Sequence, residues 1–185
     1  MNHLATSKED ILAASRDLIK ENGWAAVSIR AVASRCSVSA GTIYNYYESK
    51  ADLLSDTIES IWHEIFFHPE DEQVFHDVES CISWIYERLE YGNSQFPGFF
   101  SLHSFGFMRD EKTSGKKRMM KTWGHILNGL CEVLRTDPKV RSDVFDQEFT
   151  EKKFADILFS LILVSMIRQD YDPSSVLMLV KKTLY

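Results

Sequence analysis

Apolar residues recur three and four positions apart along most of the chain, the spacing that lines one face of an α-helix, and no segment shows the strict alternation of a strand. The first run, Ile11, Leu12, Leu18 and Ile19, follows Ser7-Lys8-Glu9-Asp10, which has the form of a capping box, and stops at Asn22-Gly23. Ser28 is placed to cap a second, short helix with Ile29, Val32 and Ala33 on its inner face. Ser39 is placed to cap a third, running to about Tyr46 with Ile43 inward. A second capping box, Ser49-Lys50-Ala51-Asp52, opens a long helix through Leu53, Leu54, Ile58, Ile61 and Ile65.

After Pro69 the helices lengthen. One is expected at about 74–91 through Val78, Ile82, Ile85 and Leu89, with a break at Asn93 to Pro97. A short aromatic helix follows at about 98–109, and a longer one at about 113–136 ends before Asp137-Pro138. The last two are expected at about 148–170 and from Pro173 onward, with Asp172 as cap. The expected fold is therefore all-α, with about nine helices. A small helical domain occupies residues 1–48, a connecting helix 49–68, and a larger helical domain 69–185.

Composition narrows the class. With 44% hydrophobic and 26% charged residues the chain has enough apolar material for a packed core, and disorder is not expected. The most apolar run, residues 157–167, falls well short of the roughly 20 residues that cross a bilayer, so no membrane role is expected. The N-terminus lacks the pattern of a secretory signal, which points to the cytoplasm. Cys36, Cys81 and Cys131 are too far apart to form a zinc-binding pair, and no cofactor is indicated. The net charge is -6, but residues 1–50 hold six Lys/Arg against five Asp/Glu, so the N-terminal part is better suited to a polyanion than the rest.

The segment CSVSAGTIYNYYESK, residues 36–50, concentrates hydroxyl groups. Two short helices, at 28–36 and 39–46, joined by a tight turn and braced by the first helix, form a helix-turn-helix, whose second helix enters the major groove. Hydroxyls of Ser28, Ser39, Thr42, Tyr44 and Tyr46 are donors suited to phosphate oxygens. Lys50 adds charge, and the start of the third helix offers backbone amides. Gly41, without a side chain, lets backbone approach DNA closely. A helical protein-interaction module is the rival reading, but it would have no use for a hydroxyl-rich face.

At these positions the chain resembles the DNA-binding domain of the TetR family of bacterial transcriptional regulators. The resemblance runs from about Ile11 to Leu54 and rests on Gly23, Ser28, Ile29, Ala33, Val38, Ser39, the run Gly41 to Tyr47, Lys50, Leu53 and Leu54. Tyr47 departs from the family's usual Phe. The resemblance implies that Ser28, Ser39, Tyr44 and Lys50 contact phosphates of double-stranded operator DNA, and it places Arg30 and Gly41 in the same surface. Ala40, Thr42, Asn45 and Tyr46 would face the bases; Asn suits adenine and the Thr methyl suits thymine. Ile43, Val38 and Tyr47 would pack the small domain.

The resemblance also implies a homodimer, formed through the last two helices, and a small-molecule inducer. The helix at 148–170 is apolar nearly all round, consistent with cover by a second subunit, although a central helix of a monomer would look the same. Leu158, Leu161, Ile162 and Ser165 are the candidate interface residues. Trp84, Phe100, His103, Phe107, Trp123 and Leu127 are candidate contacts for an apolar or aromatic ligand, with His103 or His125 as the polar group. An enzyme is not expected. His63-Glu64 and His68 miss the spacing of a zinc-binding HExxH, and no nucleophile and base stand together in sequence.

Overall fold

The computed structural model describes residues 6–66, 75–100 and 114–185, the side chains of 114–122 excepted. Every regular element among the described residues is helical. The order is α1 (Lys8–Asn22), a single 3₁₀ turn (Trp24–Ala26), α2 (Ile29–Arg35), α3 (Ala40–Tyr44), α4 (Lys50–Phe66), α5 (Val78–Gln95), α6 (Ser114–Thr136), α7 (Glu151–Arg168) and α8 (Ser174–Leu184). The expected aromatic helix begins at Phe99, and its remainder lies outside the described residues.

Local chemistry sets most of the boundaries. Both halves of the Ser7/Asp10 capping box form, and Gly23, at φ 75°, returns its amide to Ile19. Asp77 caps α5 and Thr150 caps α7, which moves both helix starts a few residues past the expected ones. The third helix ends at Tyr44 instead of Tyr46. The 3₁₀ turn had no periodic signal, since three residues are too few to show one.

Helices α1, α2 and α3 form the small bundle, and α1 also packs along α4. The long α4 then packs on α5 and α6, while α7 lies against α6 and α8 against α5. Ile11, Val32, Ile43, Leu53, Ile61, Ile82, Leu89 and Leu158 all have essentially no exposed surface and belong to one contiguous core. At the far end, buried Asp137 accepts from the Val78 amide (2.9 Å), the Lys139 amide (2.8 Å) and the Tyr185 hydroxyl (2.6 Å). A buried carboxylate with three donors is fully used, so this contact fixes the start of α5 against the segment after α6 and the last residue.

Candidate functional site

The helix-turn-helix is built by its serines. Ser28 Oγ accepts from the Ala31 amide at 3.1 Å and Ser39 Oγ from the Thr42 amide at 3.2 Å, so each serine fixes where its helix starts. Between the helices Ser37 sits at φ 57°, a left-handed conformation that reverses the chain, and the Val38 amide closes the turn onto Ala33 at 2.9 Å. Val32, Ala33, Ile43 and Tyr47 anchor both helices from inside. The Lys8 ammonium lies 5.7 Å from the Tyr47 ring centre.

The outward face carries most of the candidate residues. Tyr44 is 55% exposed, and Gly41, Asn45, Arg30 and Lys50 are exposed, while Ser28, Ala40 and Thr42 are half-buried and Ser39 is exposed. Tyr46 is the exception. It is half-buried and donates its hydroxyl to the Thr6 carbonyl at 2.7 Å, which spends on the N-terminal segment the group expected to face bases. Gly41 is not needed by the interior: an added Cβ would meet only Ser39 Oγ, at an ordinary 3.5 Å.

Ion pairing divides the six cations of residues 1–50. Lys8 pairs with Asp56, Arg16 with Glu9 and Glu64, Lys20 with Glu64, and Arg35 with Glu21 and Asp17. The guanidinium of Arg35 holds the Glu21 carboxyl below its usual range. Arg30 and Lys50 make no ion pair among the described residues. The two cations with charge to offer are thus the two the sequence had placed in the outward surface, beside Tyr44 and the serine hydroxyls.

The larger domain contains an apolar cleft of about 140 Å³, close to the ~150 Å³ that admits a single aromatic ring. Among the described residues it is lined by Phe66, Phe75, Trp84, Ile85, His125 and Leu130, with Cys81, Ile126 and Gly129. Burial pushes the Cys81 thiol up to about 12, so it stays protonated and inert. Of the candidate ligand contacts, Trp84 lines this cleft, and so does His125. Phe100 does not: it is fully buried against Trp62 and Phe99. Trp123 packs edge-on against Phe159, 5.7 Å away, and Leu127 is half-buried outside the lining. His103 and Phe107 lie outside the described residues. Sequence spacing missed Phe66, Phe75 and Ile126 because the lining comes from three separate helical regions, each contributing residues that also read as core.

The expected dimer face also needs correcting. Leu158 and Ile162 are buried in the chain's own core, and Ser165 Oγ lies 2.9 Å from the Tyr86 hydroxyl, so these three point inward. The exposed apolar side of α7 consists of Ile157, Val164 and Ile167, with Leu161 half-buried between them, and α8 adds Met178 and Leu179. An all-round apolar helix gives no moment to separate these faces; only the packing partner does. Among the described residues no group of three or more His, Cys, Asp or Glu could hold a metal, and no helix is long and apolar enough to cross a membrane. Glu64, half of the near-miss metal motif, is engaged by Arg16 and Lys20.

Residues 11–57 match the family model of the bacterial regulatory proteins of the tetR family. Over 48 residues the chain is 38% identical to the HTH-type transcriptional regulator UidR of Escherichia coli K12, a match spanning 26% of this chain and 24% of that protein. The fold extends further. FadR from Bacillus subtilis, solved in complex with stearoyl-CoA, superimposes with a TM-score of 0.66 at 18% identity over 97% of this chain and 100% of that one. BioQ, solved with its double-stranded DNA operator, gives 0.64 at 15% identity over 96% of each chain. With the serine-capped turn and its outward face, these findings make residues 11–57 a helix-turn-helix of the kind found in the bacterial regulatory proteins of the tetR family, and the chain as a whole shares the fold of the solved regulators.

Proposed function

We propose that the chain is a ligand-responsive, sequence-specific repressor that binds operator DNA as a homodimer. The observation that carries this reading is the outward face of the helix-turn-helix. Arg30 and Lys50, the cations of residues 1–50 without an ion pair among the described residues, accompany exposed Tyr44, Ser39 and Asn45 there. Ser28, Ser39, Tyr44, Arg30 and Lys50 contact phosphates, and Gly41 lets the backbone approach. Ala40, Thr42 and Asn45 read base edges. Tyr46 braces the small domain against Thr6.

In this reading residues 1–48 bind DNA, 49–68 connect, and 69–185 bind ligand and dimerise. The apolar stripe of Ile157, Leu161, Val164 and Ile167, with Met178 and Leu179 on α8, meets the same stripe of a second copy. Ligand enters the cleft beside Trp84 and Phe75. The lining is apolar apart from His125, which suits an apolar or aromatic molecule with one hydrogen-bonding group. Ligand binding shifts α4 and changes the separation of the two recognition helices, which must match half-sites about 34–36 Å apart or a multiple of that.

The test is a titration of the protein against duplexes from its own upstream region, or selected from random sequence, followed by fluorescence anisotropy at several salt concentrations. Saturable, salt-sensitive binding that Tyr44→Ala and Lys50→Ala both weaken is expected. Undiminished binding by both variants removes the assigned face, and no selected sequence at all removes the DNA-binding reading.

A further inference from the structure

We infer that Trp62 and Phe99 are positioning residues that couple the apolar cleft to the helix-turn-helix domain through one continuous column of aromatic rings. The inference adds a route to the ligand response proposed above and rests on that reading for its consequence at DNA. The column starts in the cleft wall, where Phe75 and Trp84 have ring centres 5.3 Å apart and Trp84 meets Phe66 at 6.0 Å. Phe66 stacks on Trp62, one helical turn earlier in α4, at 5.6 Å. Trp62 meets Phe99 edge-on at 5.4 Å. Phe99 stacks on Trp24, in the 3₁₀ turn of the small domain, at 5.6 Å and 14°. Six rings therefore run from the cleft to the element between α1 and α2.

Two features make this column stiff. Its three middle rings are buried: Phe99 has no exposed surface, Trp62 3% and Phe66 6%. A ring packed on both sides cannot tilt without displacing the next, because a close-packed interior has no slack to absorb the motion. The helices that carry the rings are also pinned together. Arg88 of α5 donates its Nε to the Ile65 carbonyl and its Nη2 to the Glu64 carbonyl at 3.1 Å, holding the end of α4. Buried Gly92 lets α5 press so closely that an added Cβ would lie 2.6 Å from Ile65 and 3.0 Å from Phe100. On the other side the Glu64 carboxylate receives Arg16 and Lys20 of α1, at 3.0 and 2.6 Å.

The cleft and the small domain thus share one rigid joint at the end of α4. Filling the cleft moves Trp84 and Phe66, which with Phe75 line it; the column passes that displacement to Trp24, and Trp24 carries the helix-turn-helix with it. A merely structural core would need the same burial but no unbroken line of rings between the two places.

The four tryptophans provide the readout. In full-length protein labelled with fluorotryptophan, fluorine NMR gives one resonance for each, assigned by single Trp→Phe substitutions. Phe75→Leu removes the ring against Trp84 and so must displace the Trp84 resonance. Coupling predicts that the Trp62 and Trp24 resonances move as well. In a Phe99→Leu background, Phe75→Leu should still displace Trp84 while Trp24 stays where that background put it. Phe145→Leu, in the separate Phe145, Phe149 and Phe154 cluster, should leave Trp24 unmoved. A stationary Trp24 in the Phe75→Leu protein overturns the proposal. So does a Trp24 response that survives Phe99→Leu, or one that Phe145→Leu reproduces. None of these readings requires DNA, so failure of the proposed DNA binding would appear separately, in the duplex titration.

Discussion

The small domain and the large one are made by different means. In the first, a serine hydroxyl or a capping box fixes the start of each helix, Ser7 for α1, Ser28 for α2 and Ser39 for α3, and Ser49 with Asp52 does the same for the connecting α4. Each contact spans three residues. In the large domain Asp77 and Thr150 also cap their helices, but the contacts that set one element against another join distant segments: Asp137 with Val78 and Tyr185, Tyr86 with Ser165, Arg88 with the end of α4. The candidate sites differ in the same way. The residues proposed to face DNA lie within a short stretch of chain, whereas the cleft needs Phe66, Trp84 and His125 brought together from three helices.

The contrast is easiest to break on α7, where neighbouring apolar residues have opposite roles. Leu158→Ala removes a fully buried side chain, and the expected loss is about 2–5 kcal/mol of stability, measured by urea unfolding. Val164→Glu changes a residue that is 41% exposed and should leave the monomer fold intact while dissociating the proposed dimer, seen by light scattering. If Val164→Glu unfolds the chain and Leu158→Ala leaves it untouched, the assignment of faces is inverted.

Gly41 sharpens the comparison at the other end. Replacing it with Ala meets no obstruction inside the protein and favours helix by about 1 kcal/mol, so Gly41→Ala should raise the melting temperature slightly. The same methyl group would stand between α3 and DNA. A fall in operator affinity of about tenfold, equivalent to about 1.4 kcal/mol, is expected alongside the gain in stability. Equal affinity for both proteins would show that backbone does not approach DNA at this position.

Acid should act mainly on the large domain. The Lys139 ammonium, 2.8 Å from Asp77, with the Ser80 amide and hydroxyl, lowers that carboxyl to about 2 from an ordinary 3.8. Its stabilising contribution is complete above about pH 4, where an unfolded-state Asp is ionised, and is lost as pH falls toward 2. Asp77→Asn should therefore flatten the stability profile between those values. The matching loss near neutral pH is modest, at most about 1 kcal/mol for the partly exposed Lys139 ion pair, because Asn caps a helix about as well as Asp. A profile unchanged by the substitution would remove Asp77 from the acid transition.

The smallest effect expected is a gain. Ser37 occupies a left-handed conformation at φ 57° that glycine adopts without steric cost. Ser37→Gly should stabilise the small domain by about 0.5–1 kcal/mol in urea unfolding, less the entropy that glycine adds to the unfolded chain. A destabilised protein would mean that the Ser37 side chain contributes to the turn.

Much of this molecule is determined by sequence alone. The helices follow from apolar spacing and from capping residues that bond to backbone three positions away, and the helix-turn-helix is legible because its turn, caps and outward hydroxyls are neighbours in the chain. Even so, Tyr46 was placed among the base-facing residues, since nothing local reveals that its hydroxyl reaches back to Thr6, forty positions away. The tertiary structure decided which face of α7 is covered, which aromatic residues line the cleft, and which cations of residues 1–50 have no ion pair among the described residues. The physical reason is common to all three. Burial and charge pairing depend on partners remote in sequence, and an apolar helix or an arginine looks the same in the chain before its partner has been named.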